Sequence, residues 1–237
     1  MSKVLIDPTK PIVISVGGAF LVPNSGINTK FLINLNALIR KYVASGHRFF
    51  LVAGGGRTAR QYRDAGKAVN HHMSNHDLDW LGIHATRLNG HLLRTIFEDI
   101  AHPRMIENYH HRLENWTESI VIGAGWKPGW STDYCAVYLA YEYKAAPVIN
   151  LTNVDYIYDS DPKTNPHAHA LHTATWKQME SIVGTTWTPG MNAPFDPIAS
   201  QLAAEHDIDV IVTNGDNLEN LENILCNKPY RGTLITK

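Results

Sequence analysis

The sequence predicts an α/β domain built on a parallel sheet with crossover helices. Short apolar runs rich in β-forming residues, at 11–16, 49–53 and 119–123, each read as one buried strand. Segments with apolar residues at helical spacing alternate with them, and a strand–turn–helix–strand order opens the chain, which is how crossover units are written in sequence. With 237 residues, of which 44% are hydrophobic and 18% charged, the chain can fill one large core and is short for two, so one domain over 1–237 is expected.

The first strand, 11–16, ends in the glycine turn Gly17-Gly18. A helix capped by Asn28 or Thr29 follows, with Phe31, Leu32, Leu35, Leu38, Ile39, Tyr42 and Val43 on one face and Gly46 closing it. Strand 49–53 runs into Gly54-Gly55-Gly56, then a helix begins near Thr58. A polar, histidine-laden stretch, 67–76, precedes a long helix over 77–100, whose buried stripe is expected to be Leu78, Leu81, Ala85, Leu88, Leu92 and Ile96. Asp79 sits near its start, where interaction with the helix dipole is the ordinary explanation. Strand 119–123 leads into a turn-rich loop and a helix over 133–143, with Thr132 or Asp133 as its cap. A strand at 147–151, helices at 175–182 and 196–206, a strand at 208–212, a helix at 218–225 and a strand at 232–235 complete the chain.

Bulk properties narrow the partners. A formal net charge of -1 gives no electrostatic footprint for nucleic acid or an acidic membrane. Two cysteines, Cys135 and Cys226, lie far apart without metal-type spacing, so neither a disulfide framework nor a zinc site is expected. The opening residues lack the apolar run of a signal peptide and no stretch reaches membrane-spanning length, so a cytoplasmic location is expected.

The chemistry is concentrated at strand ends. The run 49–60 reads as strand, triple-glycine turn and helix start, which aims backbone N–H groups at one point and suits a phosphate. Arg60, about one turn into that helix, can return its fork of donors to the same point. A ligand-free connection of strand to helix has the same local signature; the recurrence of a glycine turn at 17–18 favours the phosphate cradle. Thr152, Asn153 and Asp155, after the fourth strand, suit a nucleotide's ribose and phosphates, although such residues are also ordinary turn formers.

Taken in order, these motifs resemble the amino acid kinase family, and within it the archaeal type of uridylate kinase, over nearly the whole chain. The matching residues are Gly54 to Arg60, Asp79 in Leu78-Asp79-Trp80-Leu81-Gly82, Pro128-Gly129-Trp130-Ser131-Thr132, Thr152-Asn153-Val154-Asp155 with Tyr158 to Pro162, Asp196 in Phe195-Asp196-Pro197-Ile198-Ala199, and Gly232-Thr233-Leu234-Ile235. The resemblance implies a three-layer αβα sandwich around a mainly parallel sheet, phosphate acceptor toward the amino-terminal half and ATP toward the other. It implies that Gly54, Gly55, Gly56 and Arg60 hold the UMP phosphate, with Asp79 and Thr132 also on UMP. Gly17, Gly18, Thr152, Asn153, Asp155, Tyr158, Asp161 and Asp196 are then on the ATP side, and Asp133 orients neighbouring cations. Mg2+ would accompany ATP, with no protein side chain expected to be its ligand, and the chain would assemble as an oligomer, a hexamer by resemblance.

Two residues depart from the family pattern. Its opening Lys-x-[Ser/Gly]-Gly motif carries a lysine where this chain has Ser15; by analogy with other cations in phosphoryl transfer, losing one costs about 10³-fold in rate. Replacement cations in the sequence are Lys10, Arg57, Lys127 and Lys163. The family's Thr-x-Val-Asp-Gly carries glycine where Tyr156 stands, which would alter or block the approach of ATP. These departures leave open a nucleotide-binding protein without turnover. Thirteen histidines, clustered at 71, 72 and 76, at 110–111 and at 167, 169 and 172, leave open an oxoanion or metal binder similar to the molybdenum storage proteins of this fold.

Overall fold

In a computed structural model, residues 5–145, 147–162, 164–188, 191 and 193–237 are described. In chain order the elements are β1 (Ile12–Val16), α1 (Gly18–Leu21), α2 (Thr29–Ala44), β2 (Phe49–Ala53), α3 (Gly56–Val69), α4 (Asn75–Ile96), β3 (Ile120–Gly123), α5 (Thr132–Glu142) and β4 (Val148–Thr152). The small strands β5 (Ile157–Tyr158), β6 (Ala170–Leu171) and β7 (Thr173–Thr175) follow. Then come α6 (Trp176–Val183), α7 (Pro197–Glu205), β8 (Val210–Asn214), α8 (Leu218–Leu225) and β9 (Thr233–Thr236).

Seven strands form one sheet in the order β3-β2-β1-β4-β8-β9-β7, and β5 pairs with β6 alone. All pairs in the large sheet are parallel except β8 with β9. Ile14 lies opposite Leu51 on one side and Ile149 on the other, so β1 is central. The chain leaves β1 toward β2 and returns on the other side as β4. That reversal opens a crevice at the carboxyl ends of these strands, the usual place for a ligand in such sheets.

Side-chain alternation divides the core. Ile12, Ile14 and Val16 of β1, with Phe49, Leu51 and Ala53 of β2, pack against α2, the end of α4 and α8. Val13, Phe50, Val52, Val148 and Val210 face the other way, against α5, α6 and α7. Both faces of the strands are therefore covered, which is why their sequences are continuous apolar runs. The result is the expected three-layer αβα arrangement.

Several boundaries differ from expectation for local reasons. Gly56 already belongs to α3. Ser74 caps α4 by accepting from the Asp77 N–H, so that helix starts two residues early, and it ends at Ile96. Ser131, rather than Thr132 or Asp133, caps α5 by accepting from the Tyr134 N–H. Asn28 caps α2 as expected. Asp196 caps α7, followed by Pro197 at the first helical position. Strands β5, β6 and β7 are too short to give a periodic signal, whereas the closing strand expected at 232–235 is β9.

The largest correction concerns α4. Leu88 is 64% exposed, and the buried face includes Asp79, Thr86 and Asn89 besides Leu78, Ile83, Ala85 and Leu93. This face turns toward the glycine turn and the loop after β3, whose backbone needs polar partners. Because the helix begins at Asn75, Asp77 occupies the first turn and Asp79 lies beyond it. The dipole therefore explains Asp77, not Asp79. Among the described residues, no helix is long and apolar enough to cross a membrane.

Candidate active site

The two glycine turns touch backbone to backbone. A Cβ on Gly18 would overlap the Gly56 backbone, and one on Gly54 would overlap Gly18. Gly56 also has φ +60, a conformation that disfavours side chains. Asn89 reaches from α4 and donates its amide to the Gly54 carbonyl at 2.8 Å and the Gly55 carbonyl at 3.2 Å. In a trans peptide N–H opposes C=O, so the Gly55 and Gly56 N–H groups face away from Asn89.

These turns form one wall of a cavity of about 640 Å³ at the carboxyl edge of the sheet. It brings together Gly54, Gly55, Gly56, Arg60, Asp79 and Thr132 from the expected acceptor set, Asp133, expected to orient cations, and Gly18, Asn153 and Asp196 from the expected ATP set. A second cavity of about 410 Å³ shares Asn153, Met191 and Ala193 with the first and adds Tyr156, Tyr158 and Asp161. Three residues expected on the ATP side line neither. Gly17 is packed against the Leu151 carbonyl, Thr152 ends β4, and Asp155 accepts a hydrogen bond from the Asn214 amide at 2.8 Å. Tyr156 stands in the wall of the second cavity, its ring centroid 4.9 Å from that of His172.

The first cavity is polarised. At one end Arg60 and Arg63 project from α3 beside the helix start. Asp79 faces them and accepts a hydrogen bond from the Gly129 N–H at 2.9 Å; burial raises its pKa, opposed by that bond and by the charge of Arg63. Thr86 receives the Gly125 N–H at 2.8 Å, so Asp79 and Thr86 of α4 each hold a backbone N–H of the loop after β3. Trp130 of that loop also lines the cavity, packed on Trp126 and Tyr134 with ring centroids 4.5 and 4.2 Å away.

At the other end Asp133 lies beside Asp196. Burial, then the Asp196 charge, pushes the Asp133 carboxyl up to about 7, against the hydrogen bond it accepts from the Ser15 hydroxyl at 3.1 Å. Burial also raises the pKa of Asp196, opposed by the Ala199 N–H. Asp196 is 5% exposed, and its Oδ2 has no hydrogen-bond partner among the described residues. Ser15 is buried beneath this pair and does not line the cavity.

Of the four suggested replacement cations, the three among the described residues lie outside the cavity wall. Lys10 precedes β1 at the opposite edge of the sheet. Arg57 donates to Asn24 at 3.0 Å, and Lys127 stacks over Trp126 and Trp130. Lys163 is outside the described residues. Among the described residues, no three His, Cys, Asp or Glu side chains converge as a metal site. The two cysteines are free.

Arg63 and Trp187 were missed by sequence reasoning. Arg63 had a usable signal, three residues after Arg60 and hence on the same face. Trp187, in a loop after α6, had none.

Comparison with known proteins bears on the family and the fold. Residues 10–214 match the model of the Amino acid kinase family. A uridylate kinase of Metallosphaera sedula is 35% identical over 217 residues, 90% of this chain and 94% of that protein. One from Methanoregula boonei is also 35% identical, over 91% of each chain. The crystal structure of uridylate kinase from Archaeoglobus fulgidus superposes with a TM-score of 0.78 at 30% identity, covering 96% of this chain and all of that one. Sequence, sheet order and relatives converge: this chain belongs to the amino acid kinase family.

Proposed function

We propose that the protein is a uridylate kinase, transferring the γ-phosphoryl group of ATP to UMP to give UDP and ADP. The observation that carries this reading is the polarised cavity, with cations and N–H groups at one end, paired carboxylates at the other and a second cavity adjoining it. Relatives of this chain at 35% identity are uridylate kinases.

In this reading the α3 start and Arg60 hold the UMP phosphate, and Asp79 accepts hydrogen bonds from the ribose hydroxyls. Thr132 offers its hydroxyl to the same nucleotide, and Trp130 supplies a flat apolar face beside it. Asn153, Tyr158 and Asp161 border the ATP side, while Tyr156 restricts it without filling it. Phosphoryl transfer asks chiefly for alignment and charge neutralisation, which these groups supply.

The residues also fit a magnesium ion accompanying ATP. Asp133 and the unbonded Oδ2 of Asp196 are hard oxygen donors, the type such a cation takes, and their mutual repulsion would be relieved by positive charge. Bound there, Mg2+ would neutralise phosphate charge in the absence of a lysine at Ser15. Ser15 meanwhile holds the Asp133 carboxylate in position through its hydroxyl.

The test is a coupled assay of ADP release with ATP, Mg2+ and a panel of nucleoside monophosphates. UMP-dependent, Mg2+-requiring release is expected. UMP binding without release would replace this reading with that of a nucleotide-binding protein lacking turnover.

A further inference from the structure

Two arginines face the acceptor end of the cavity, and one phosphate-binding arginine is all that the reading above uses. Arg63 is half-buried on α3, one turn beyond Arg60, and lines the same cavity. Burial lowers its pKa; the charges of Asp79 and Asp64 oppose this and that of Arg60 reinforces it. A guanidinium in such a place normally gives its protons to fixed acceptors, and others in this fold do so. Arg87 donates to the Gly125 and Trp126 carbonyls at 3.1 and 3.0 Å, and Arg48 to the Trp116 carbonyl at 2.7 Å. Arg63 makes no such bond among the described residues, and Asp79 has turned its Oδ2 to the Gly129 N–H. Two like charges on adjacent turns of one face repel each other. Together they match an anion carrying two charges.

We propose that Arg63 is a second acceptor-binding guanidinium, donating to the phosphoryl oxygens of the nucleoside monophosphate alongside Arg60. Its selectivity is for the acceptor's phosphate rather than its nucleoside. The assignment rests on the kinase reading and adds to it a residue whose role is affinity and specificity for the acceptor.

Calorimetric titration of UMP and of ATP into the full chain tests it, using wild type, Arg63→Ala, Arg63→Lys, Asp79→Asn and the Arg63→Ala/Asp79→Asn double variant. UMP affinity is expected to fall about tenfold or more in Arg63→Ala, the scale of lost hydrogen bonds to a charged group, and to recover in part in Arg63→Lys. ATP affinity stays at the wild-type value, and the loss for UMP persists when Asp79→Asn is the background. Three results would overturn the assignment: UMP affinity within about twofold of wild type in Arg63→Ala, an equal loss for ATP, or a loss that vanishes in the Asp79→Asn background. The last would mean that Arg63 serves only Asp79. A wild-type chain that binds no UMP would remove the acceptor reading itself, and this assignment with it.

Discussion

The two ends of the main cavity solve opposite electrostatic problems. At the acceptor end positive groups are gathered on one helix start and its first two turns, with backbone N–H groups beside them and Asp79 as their counter-charge. At the opposite end two carboxylates are buried together, with a serine hydroxyl and backbone N–H groups as their donors. Neither end is fully neutralised from within. A molecule that is anionic at one end and carries a cation at the other completes both, and a nucleotide pair with Mg2+ has that form.

Breaking the scaffold should have the largest effect. Gly54→Ala forces a side chain into the Gly18 backbone, a contact no rotamer relieves. A loss of about 3 kcal/mol in stability is expected by chemical denaturation, together with loss of UMP binding. Wild-type stability in that variant would show that the two turns are not locked together.

Removing charge from the acceptor end comes next. Arg60→Ala should lower kcat/KM for UMP about 100-fold, as expected for the loss of charge-assisted hydrogen bonds to phosphate, while KM for ATP is unchanged. Steady-state kinetics with each substrate varied separates the two ends. An equal effect on both would contradict their division of labour.

The carboxylate end gives a smaller, pH-dependent effect. The Asp133 pKa is raised from 3.8 to about 7, so between these values the native state keeps a proton that the unfolded chain has released. Stability from this source is full below about 4 and is lost as pH rises through 7. Asp133→Asn should therefore match wild type near pH 4 and exceed it near pH 8, by on the order of 2 kcal/mol, in denaturation measured across that range. A difference of the opposite sign would mean that Asp133 is stabilised as a carboxylate.

The glycine turns, Arg60 and the succession of the main strands and helices were legible in sequence because their causes are local: steric freedom, helix spacing and continuous apolar runs. The order of strands across the sheet was not, because pairing joins segments far apart in the chain. Leu88 shows where periodicity misleads, since a leucine at helical spacing is 64% exposed while Asn89 next to it is buried. What decides that rotation is the backbone opposite α4, and a single-chain pattern carries no record of it. Asp133 and Asp196 were each identified, but their adjacency arises from packing α5 against α7 on the sheet. The same holds for Ser15, whose hydroxyl meets a residue 118 positions away.

Asn89 has a consequence beyond packing. By holding the Gly54 and Gly55 carbonyls on its own side, it fixes which pole of two peptide planes the neighbouring turn displays. Glycine peptides reorient more readily than others, and a flip would replace an N–H with a carbonyl oxygen at the same point. The turn would then repel the anion it is shaped to receive. A buried amide on a neighbouring helix thus sets the sign of the field in the cradle, and three glycines can be both flexible in chemistry and fixed in polarity.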